Sequence, residues 1–411
     1  MVDIKDDIPK LRADLELIPT IYQGEQAVII RDFLGLIKKP VILQGEALKL
    51  IGFIDGKNSI QDIQLGLVRQ GGGVFVSRES VERILVELDA AFLLDSKRAA
   101  AQKKRFIEEY SRIEVRKASH AGQAYPASKE KLASYIDSIL KTAGESPAED
   151  NGKEVCALIS PHIDLEAGKR TYAKAYGSLK NSSPRKIILL GTGHGLEDGF
   201  FSLTEKDFAT PFGLARTDKE IVRKLREAGE KIVCADDLAH RQEHSLEFQL
   251  VFLQHLFGAE LSIVPVLCGS FRHELLRVSR PSQISGVDMF LGVLADTLAN
   301  LGAEALIVAG VDFSHIGPKF GHRHVAASLL VETKKHDRAL IEACLNEDVE
   351  AFWAESRRVK DEFNVCGFSA LACLLEILPP ADGRLLDYDF WMEEPTRSAV
   401  SFAALAFATR R

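Results

Sequence analysis

The 411-residue chain reads as an α/β protein, an α/β sandwich with a largely parallel sheet behind a small winged-helix-like N-terminal domain. Three observations lead there. From residue 154 onward, apolar runs of strand length recur, amphipathic segments of helix length separate them, and histidines stand where the runs end. Continuous apolar strands alternating with helices indicate a sheet covered on both faces. In such sheets ligands bind beyond the carboxyl ends of the strands.

The first segment has its own pattern. Ala27–Ile30 and Pro40–Leu43 have the composition of short strands. Helical stretches are expected from Glu46 to the Asp55-Gly56 turn, and from Ser59 to about Arg69. A third opens at Ser77, with Val81, Ile84, Leu85, Leu88 and Phe92 at helical spacing. Gly71-Gly72-Gly73 forms a loop before it. Three short helices with flanking strands suggest the winged-helix-like module, over residues 1–96. Residues 21–95 carry eight Lys/Arg against ten Asp/Glu, which argues against a phosphate-binding face.

Residues 97–114 form a charged helical connector, in which Lys103-Lys104-Arg105 reads as a solvated face. The α/β domain covers 115–411, and Ser146–Gly152 within it reads as an exposed loop. Its strands are expected at Val155–Ile159, Lys186–Leu190, Leu261–Val266 and Ala305–Ala309, with helices at Asp218–Glu227 and Ser245–Phe257.

Composition narrows the function classes. The net charge of −7 disfavours nucleic acid as main partner, and no apolar run is long enough to span a bilayer. An acidic N-terminus without an apolar h-region points to the cytoplasm. Six cysteines form no Cys-x-x-Cys pair, so a zinc knuckle and a thioredoxin-type couple are both disfavoured. Five read as core filler; Cys366 stands apart, because a glycine and a helix-like run follow it.

Five motifs carry the chemistry: Ser160-Pro161-His162-Ile163-Asp164, Gly191-Thr192-Gly193-His194-Gly195, Glu243-His244-Ser245-Leu246-Glu247, Asp312-Phe313-Ser314-His315 and Val365-Cys366-Gly367. Imidazole, thiolate and carboxylate are common transition-metal ligands, and imidazole is the usual acid or base near neutral pH. His162 follows its strand closely, and Asp164 stands near enough to orient its ring. His194 sits in a glycine loop that matches neither a dinucleotide fingerprint nor a P-loop. Ser245 is expected to cap a helix from which Glu243, His244 and Glu247 face a cleft. Asp312 and His315 have the spacing of a base with its orienting carboxylate. His322 and His324 read as surface residues.

Ala118-Ser119-His120-Ala121-Gly122-Gln123-Ala124-Tyr125-Pro126 is similar to the opening motif of the Memo family. Pro161-His162, Gly193-His194, Thr210-Pro211, Glu243-His244-Ser245, Asp312-Phe313-Ser314-His315 and Cys366-Gly367 follow in that family's order, over roughly 115–408. The chain resembles the prokaryotic type called AmmeMemoRadiSam system protein B. Its Leu50–Lys57 and Ser59–Ile63 segments resemble PqqD-type peptide-recognition domains, which implies a peptide bound by the N-terminal domain. The first resemblance implies the fold of class III extradiol dioxygenases and a non-haem iron site. By motif matching, His162, His194 and Cys366 are the metal ligands, with the cysteine where the dioxygenases use a carboxylate. His315 is then the acid/base histidine, Asp312 stands beside it, and His244, counted with these two as catalytic, lines the cleft with Glu243; Asp164, from its place after His162, is also expected to line it. Copper or zinc are alternative metals, and a radical SAM enzyme and an AMMECR-type protein are the implied partners. The opening motif departs from the family in carrying Ala124 where tryptophan is common, and the first histidine motif in carrying Ile163-Asp164.

Three functions compete on these residues. The first is a metal-dependent oxidoreductase of dioxygenase-like chemistry. The second is a metal-free enzyme with Cys366 as nucleophile. The third is a non-enzymatic protein whose cleft binds a peptide or small molecule.

Overall fold

The computed structural model describes residues 8–37, 39, 41–70, 76–144, 154–196 and 198–410. The Gly71–Gly73 and Ser146–Gly152 loops and the first seven residues lie outside these. Two compact units divide the chain, one within residues 1–112 and the other within 113–411.

The first unit begins with strands β1 (Leu15–Tyr22), β2 (Glu25–Asp32) and β3 (Val41–Gln44). They form an antiparallel sheet in the order β1-β2-β3. Helices α1 (Gly45–Ile51), α2 (Ile60–Gln70), α3 (Arg78–Ala90) and α4 (Lys97–Ser111) follow. The hydroxyl of Ser77 caps α3 by accepting the Ser80 N–H, and Val81, Ile84, Leu85 and Leu88 are buried as their spacing predicts. Phe92 falls outside that periodicity, in a turn beyond the helix at φ 60°. The composition-based strand assignment lacked β1, whose Pro19 cannot donate to a ladder and is tolerated because β1 is an edge strand. The segment read as a connector is α4, grouped with the first unit.

In the second unit, β4 (Val115–Arg116) and α5 (Lys129–Leu140) precede β5 (Val155–Ser160), α6 (Lys169–Gly177) and β6 (Lys186–Thr192). Short strands β7 (Phe201–Leu203), β8 (Asp207–Thr210) and β9 (Gly213–Thr217) lead to α7 (Lys219–Ala228) and α8 (His244–Phe257). Next come β10 (Ser262–Cys268), α9 (Val287–Leu301), β11 (Ala305–Gly310) and β12 (His315–Ile316). Helices α10 (Ala326–Leu345), α11 (Val349–Arg358) and α12 (Phe368–Ile377) precede the hairpin β13 (Ala381–Glu393) and β14 (Ser398–Thr409).

The four strands expected from apolar runs are β5, β6, β10 and β11, and they form the parallel heart of the sheet in the order β5-β11-β6-β10. β14 extends it antiparallel to β5, and β13 pairs with β14. Apolar residues from α7, α9, α11 and α12 pack one face, and those from α5, α6 and α8 pack the other. This is a three-layer α/β/α arrangement, which explains why the central strands are apolar on both faces. No helix among the described residues is long and apolar enough to cross a membrane.

Two glycines set where the chemistry lies. Gly191 is the next-to-last residue of β6 and Gly310 ends β11, and a Cβ on either would collide with Ser245 at the start of α8. Bare backbone at both strand ends lets α8 settle onto the sheet, so His244 arrives beside the residues that leave β5 and β6.

Candidate metal centre

His162 leaves β5, and its Nδ1–H donates to the Gly310 carbonyl at 2.9 Å. A carbonyl only accepts, so Nδ1 carries the proton and Nε2 keeps the lone pair. Nε2 faces Cys366 Sγ at 3.4 Å and an Asp312 carboxylate oxygen at 3.6 Å. Asp312 also accepts the backbone N–H groups of His162 (3.0 Å) and Ile163 (3.3 Å). Asp164 does not orient this ring: it is exposed and accepts the Glu166 and Ala167 N–H groups of the following turn. Gly310 and Asp312 are the partners of His162, reached across the β5–β11 pairing.

His194 sits in the loop beyond β6, which is pinned by the Gly193 N–H donating to the Cys268 carbonyl at 2.9 Å. Its backbone N–H and Nδ1–H both donate to the Glu243 carboxylate at 3.1 Å. With Nδ1 so engaged, Nε2 is the nitrogen through which this ring would bind a metal. Glu243, not Ser245, is the N-cap of α8, accepting the Ser245 N–H at 2.9 Å. The Ser245 hydroxyl donates instead to the Thr192 carbonyl at 3.0 Å, because the close seating of α8 points it at β6. Nδ1 of His244 lies 3.3 Å from the same carboxylate, so both imidazoles stand beside one charge, and His194 is hydrogen-bonded to it. Burial opposes ionisation of Glu243, but His194, His244 and the Ser245 N–H outweigh it and hold the carboxyl well below its ordinary range.

The rings of His162, His194 and His244 have centroids 4.9 to 5.1 Å apart. Their ligand nitrogens all lie within 4.8 Å of one another, and among the described residues no other group of three His, Cys, Asp or Glu is found this close. Burial lowers the proton affinity of His162 and of His244, leaving neutral imidazoles, the form that binds a metal. Cys366 touches this trio through His162. Two ligands held at about 2.0–2.3 Å on one ion are separated by roughly 3–4 Å, and the 3.4 Å between Sγ and Nε2 falls in that range. Burial and the Asp312 charge push the Cys366 thiol well above its usual value, so a cation would be needed to hold it as thiolate. The donor set therefore fits a transition metal.

His315 follows β11 at the same edge. Its ring is oriented by Nδ1–H donating to the Phe313 carbonyl at 3.0 Å and by the Phe320 ring, 4.9 Å away and edge-on. The expected pairing of His315 with the Asp312 carboxylate is not formed, since Asp312 is turned to the His162 backbone. Burial, reinforced by the neighbouring histidines, brings the His315 pKa down to about 3. Its ring is therefore neutral at physiological pH. Burial pushes Asp312 above the ordinary carboxylate value, against the pull of His162. His322 is half-buried, its Nε2–H donating to the Glu362 carbonyl, and His324 is exposed. Cys268, Cys344 and Cys373 are buried, whereas Cys156 and Cys234 are only partly so.

Sequence reasoning missed how the opening motif is held. Arg116, 1% exposed in its side chain, donates to Glu247 at 2.6 Å and to the His240 and Glu243 carbonyls at 2.6 and 2.7 Å. Glu247 also accepts the backbone N–H groups of Ser119 and His120 and the Tyr125 hydroxyl. Burial disfavours its charge, yet Arg116, His120 and these donors bring its pKa down to about 2. His120 is thereby fixed 5.8 Å from His244, with Phe248 between them and the Tyr125 ring. A glutamate one turn after Glu243 was the only available signal; nothing in the sequence marks Arg116 as buried.

A sequence profile of Memo-like proteins matches residues 116–406. A MEMO1 family protein of Aquifex aeolicus is 28% identical over 387 residues, covering 92% of this chain and 95% of its own. One from Nitrosopumilus maritimus is 27% identical over 301 residues, 71% of this chain and 99% of its own. Another, from Thermus thermophilus, is 28% identical over 334 residues, 81% and 94% of the two chains. The profile spans the whole layered unit, including every histidine around the candidate centre, and on that match the chain belongs to the Memo family.

Proposed function

We propose that the second unit holds one transition-metal ion and uses it in oxidoreductase chemistry on a small substrate, in the manner of the extradiol dioxygenases. The carrying observation is the convergence of His162, His194 and His244, with a ring nitrogen of His162 hydrogen-bonded to a carbonyl, one of His194 to a carboxylate, and His244 beside that carboxylate. Such partners fix tautomer and ring direction before any ion arrives. His162 and His194 are common to this trio and to the set with Cys366, and the sulfur contact of His162 supports the thiolate as a further ligand. Iron is the proposed ion, with copper or zinc as competitors for a site that includes sulfur. Bound iron supplies one-electron redox capacity and Lewis acidity. The chain's own contribution is to hold a neutral His315 beside the centre and to hold the imidazoles at a buried edge.

The test is metal content by mass spectrometry on anaerobically purified protein, beside His162→Ala/His194→Ala, His244→Ala and Cys366→Ala variants. Near-stoichiometric iron, lost in the double variant, is expected. Metal retained by the double variant would refute the site. The two single variants rank the third ligand.

For the first unit we propose a winged-helix-like recruiting module of the cytoplasmic protein, contacting an AMMECR-type or radical SAM partner. Ile18, Ile29 and Ile42 support this reading: they pair in a cross-strand row outside the unit's core. A double variant Ile29→Glu/Ile42→Glu should abolish capture of such a co-expressed partner, and unchanged capture would reject the module's role.

A further inference from the structure

The segment that delivers Cys366 is conformationally strained. Lys360, Asp361 and Asn364 have φ of 53°, 56° and 49°, three left-handed non-glycine residues within five. That region is uncommon for residues with a Cβ, and clusters of such residues gather at functional sites. This cluster lies between α11 and Cys366, where the chain must reverse and then start α12.

What holds the strained backbone also holds His315. The Asn364 side-chain amide donates one N–H to the His315 carbonyl (3.3 Å) and one to the Phe320 carbonyl (3.2 Å). The His315 N–H in turn donates to the Phe363 carbonyl at 2.8 Å. Asn364 thus joins the residue that packs edge-on against the His315 ring to the strand start that carries it. Two residues further on is Cys366, with Sγ 3.4 Å from His162 Nε2. The loop's other ties point the same way. Asp361 accepts the Val365 N–H at 3.3 Å, and Phe363 is buried and stacked on His336 at 5.0 Å. Beyond Cys366, the Gly367 N–H donates to the Asp312 carbonyl at 3.2 Å, an approach that a Cβ at Gly367 would block.

We propose that Asn364 is a positioning residue that sets the Cys366 sulfur and the His315 imidazole at the centre together. Its amide anchors the loop to the His315 and Phe320 carbonyls, and that anchorage, together with the left-handed backbone, aims the sulfur. Asparagine suits both tasks, since it tolerates the left-handed region and supplies two donors from one planar group. The inference rests on the reading of Cys366 as a metal ligand.

The experiment is cobalt(II) titration of the full chain, following the near-ultraviolet thiolate-to-cobalt charge-transfer band. Wild type, Cys366→Ser, Asn364→Gly and Asn364→Asp are compared, with thermal unfolding of each. Glycine keeps the backbone conformation and loses the amide; aspartate keeps the size and the left-handed tolerance but loses both donors. The band is expected in wild type and absent from Cys366→Ser. It should weaken in both Asn364 variants, with cobalt binding about tenfold looser, the usual scale for losing an outer-shell partner, while unfolding stays cooperative. A band and affinity within twofold of wild type in either folded Asn364 variant would overturn the positioning role. No band in wild type would instead overturn the thiolate ligand, and the inference with it.

Discussion

Each unit buries an arginine among carboxylates, and the two clusters serve different ends. In the first, Arg12 donates to Asp14, to Asp32 and to the Phe92 carbonyl, and Asp32 also accepts the N–H groups of Leu34, Gly35 and Ile37. That cluster ties the entry to β1, the exit from β2 and the turn after α3, and no histidine lies in the first unit. In the second, Arg116 and Glu247 tie the opening motif to the first turn of α8, where Glu243 and His244 begin the candidate centre. The chemistry of the pair is the same, so burial alone does not mark function. What differs is the cargo: one arginine closes a turn, the other fixes a cap that aims two imidazoles.

Breaking the Arg116 cluster should have the largest effect. Removing one partner of a buried ion pair costs about 3–5 kcal/mol because the other charge is stranded. Arg116→Ala should therefore destabilise the second unit by that order in chemical denaturation and lower its metal content. Arg12→Ala should cost the first unit a similar amount and leave metal content of the intact protein unchanged. Equal metal loss in both variants would erase the distinction between the clusters.

Glu243→Gln is the next smaller change, aimed at the cargo alone. It keeps the cap's shape but weakens the acceptor of His194 and removes the charge beside His244. Metal affinity should fall about 10–100-fold with little change in unfolding midpoint, read by competition with a chelating dye. An unchanged affinity would mean that the carboxylate only caps the helix.

How far all this was legible follows from how local each signal is. The four central strands show as apolar runs because both faces are covered, and the histidines were found because they end those runs. The hairpin β13–β14 was not assigned: Ser398–Thr409 is alanine-rich, and its identity as a strand comes from pairing with β5 and β13. Which nitrogen each imidazole presents was also out of reach, since His162 is set by Gly310, 148 residues away. The same holds for Asp312, whose proximity to His315 in sequence suggested a dyad that the fold uses otherwise. Cys366 was singled out by its glycine, but the strained loop that places it shows only in backbone angles.

The last expected effect is in acid, and it separates the two units by titration. His315 has a folded pKa of about 3, and His162 and His244 are also lowered. For a histidine depressed on folding, the unfolded chain binds more protons between the folded value and about 6.5. Their contribution to stability is therefore full above about 6.5 and declines as pH falls toward 3, while the raised Asp312 acts in the opposite sense. Glu247 adds a second loss below about 4.5, down to its folded value near 2. The first unit has no histidine to contribute in the upper window. Amide exchange of the metal-free protein between pH 6.5 and 4.5 should show β5, β6 and α8 losing protection while α2 and α3 keep theirs. Parallel loss in both units would mean that the buried imidazoles do not govern the acid response, and His315→Gln, which removes one strongly depressed group, should flatten the slope of the second unit alone.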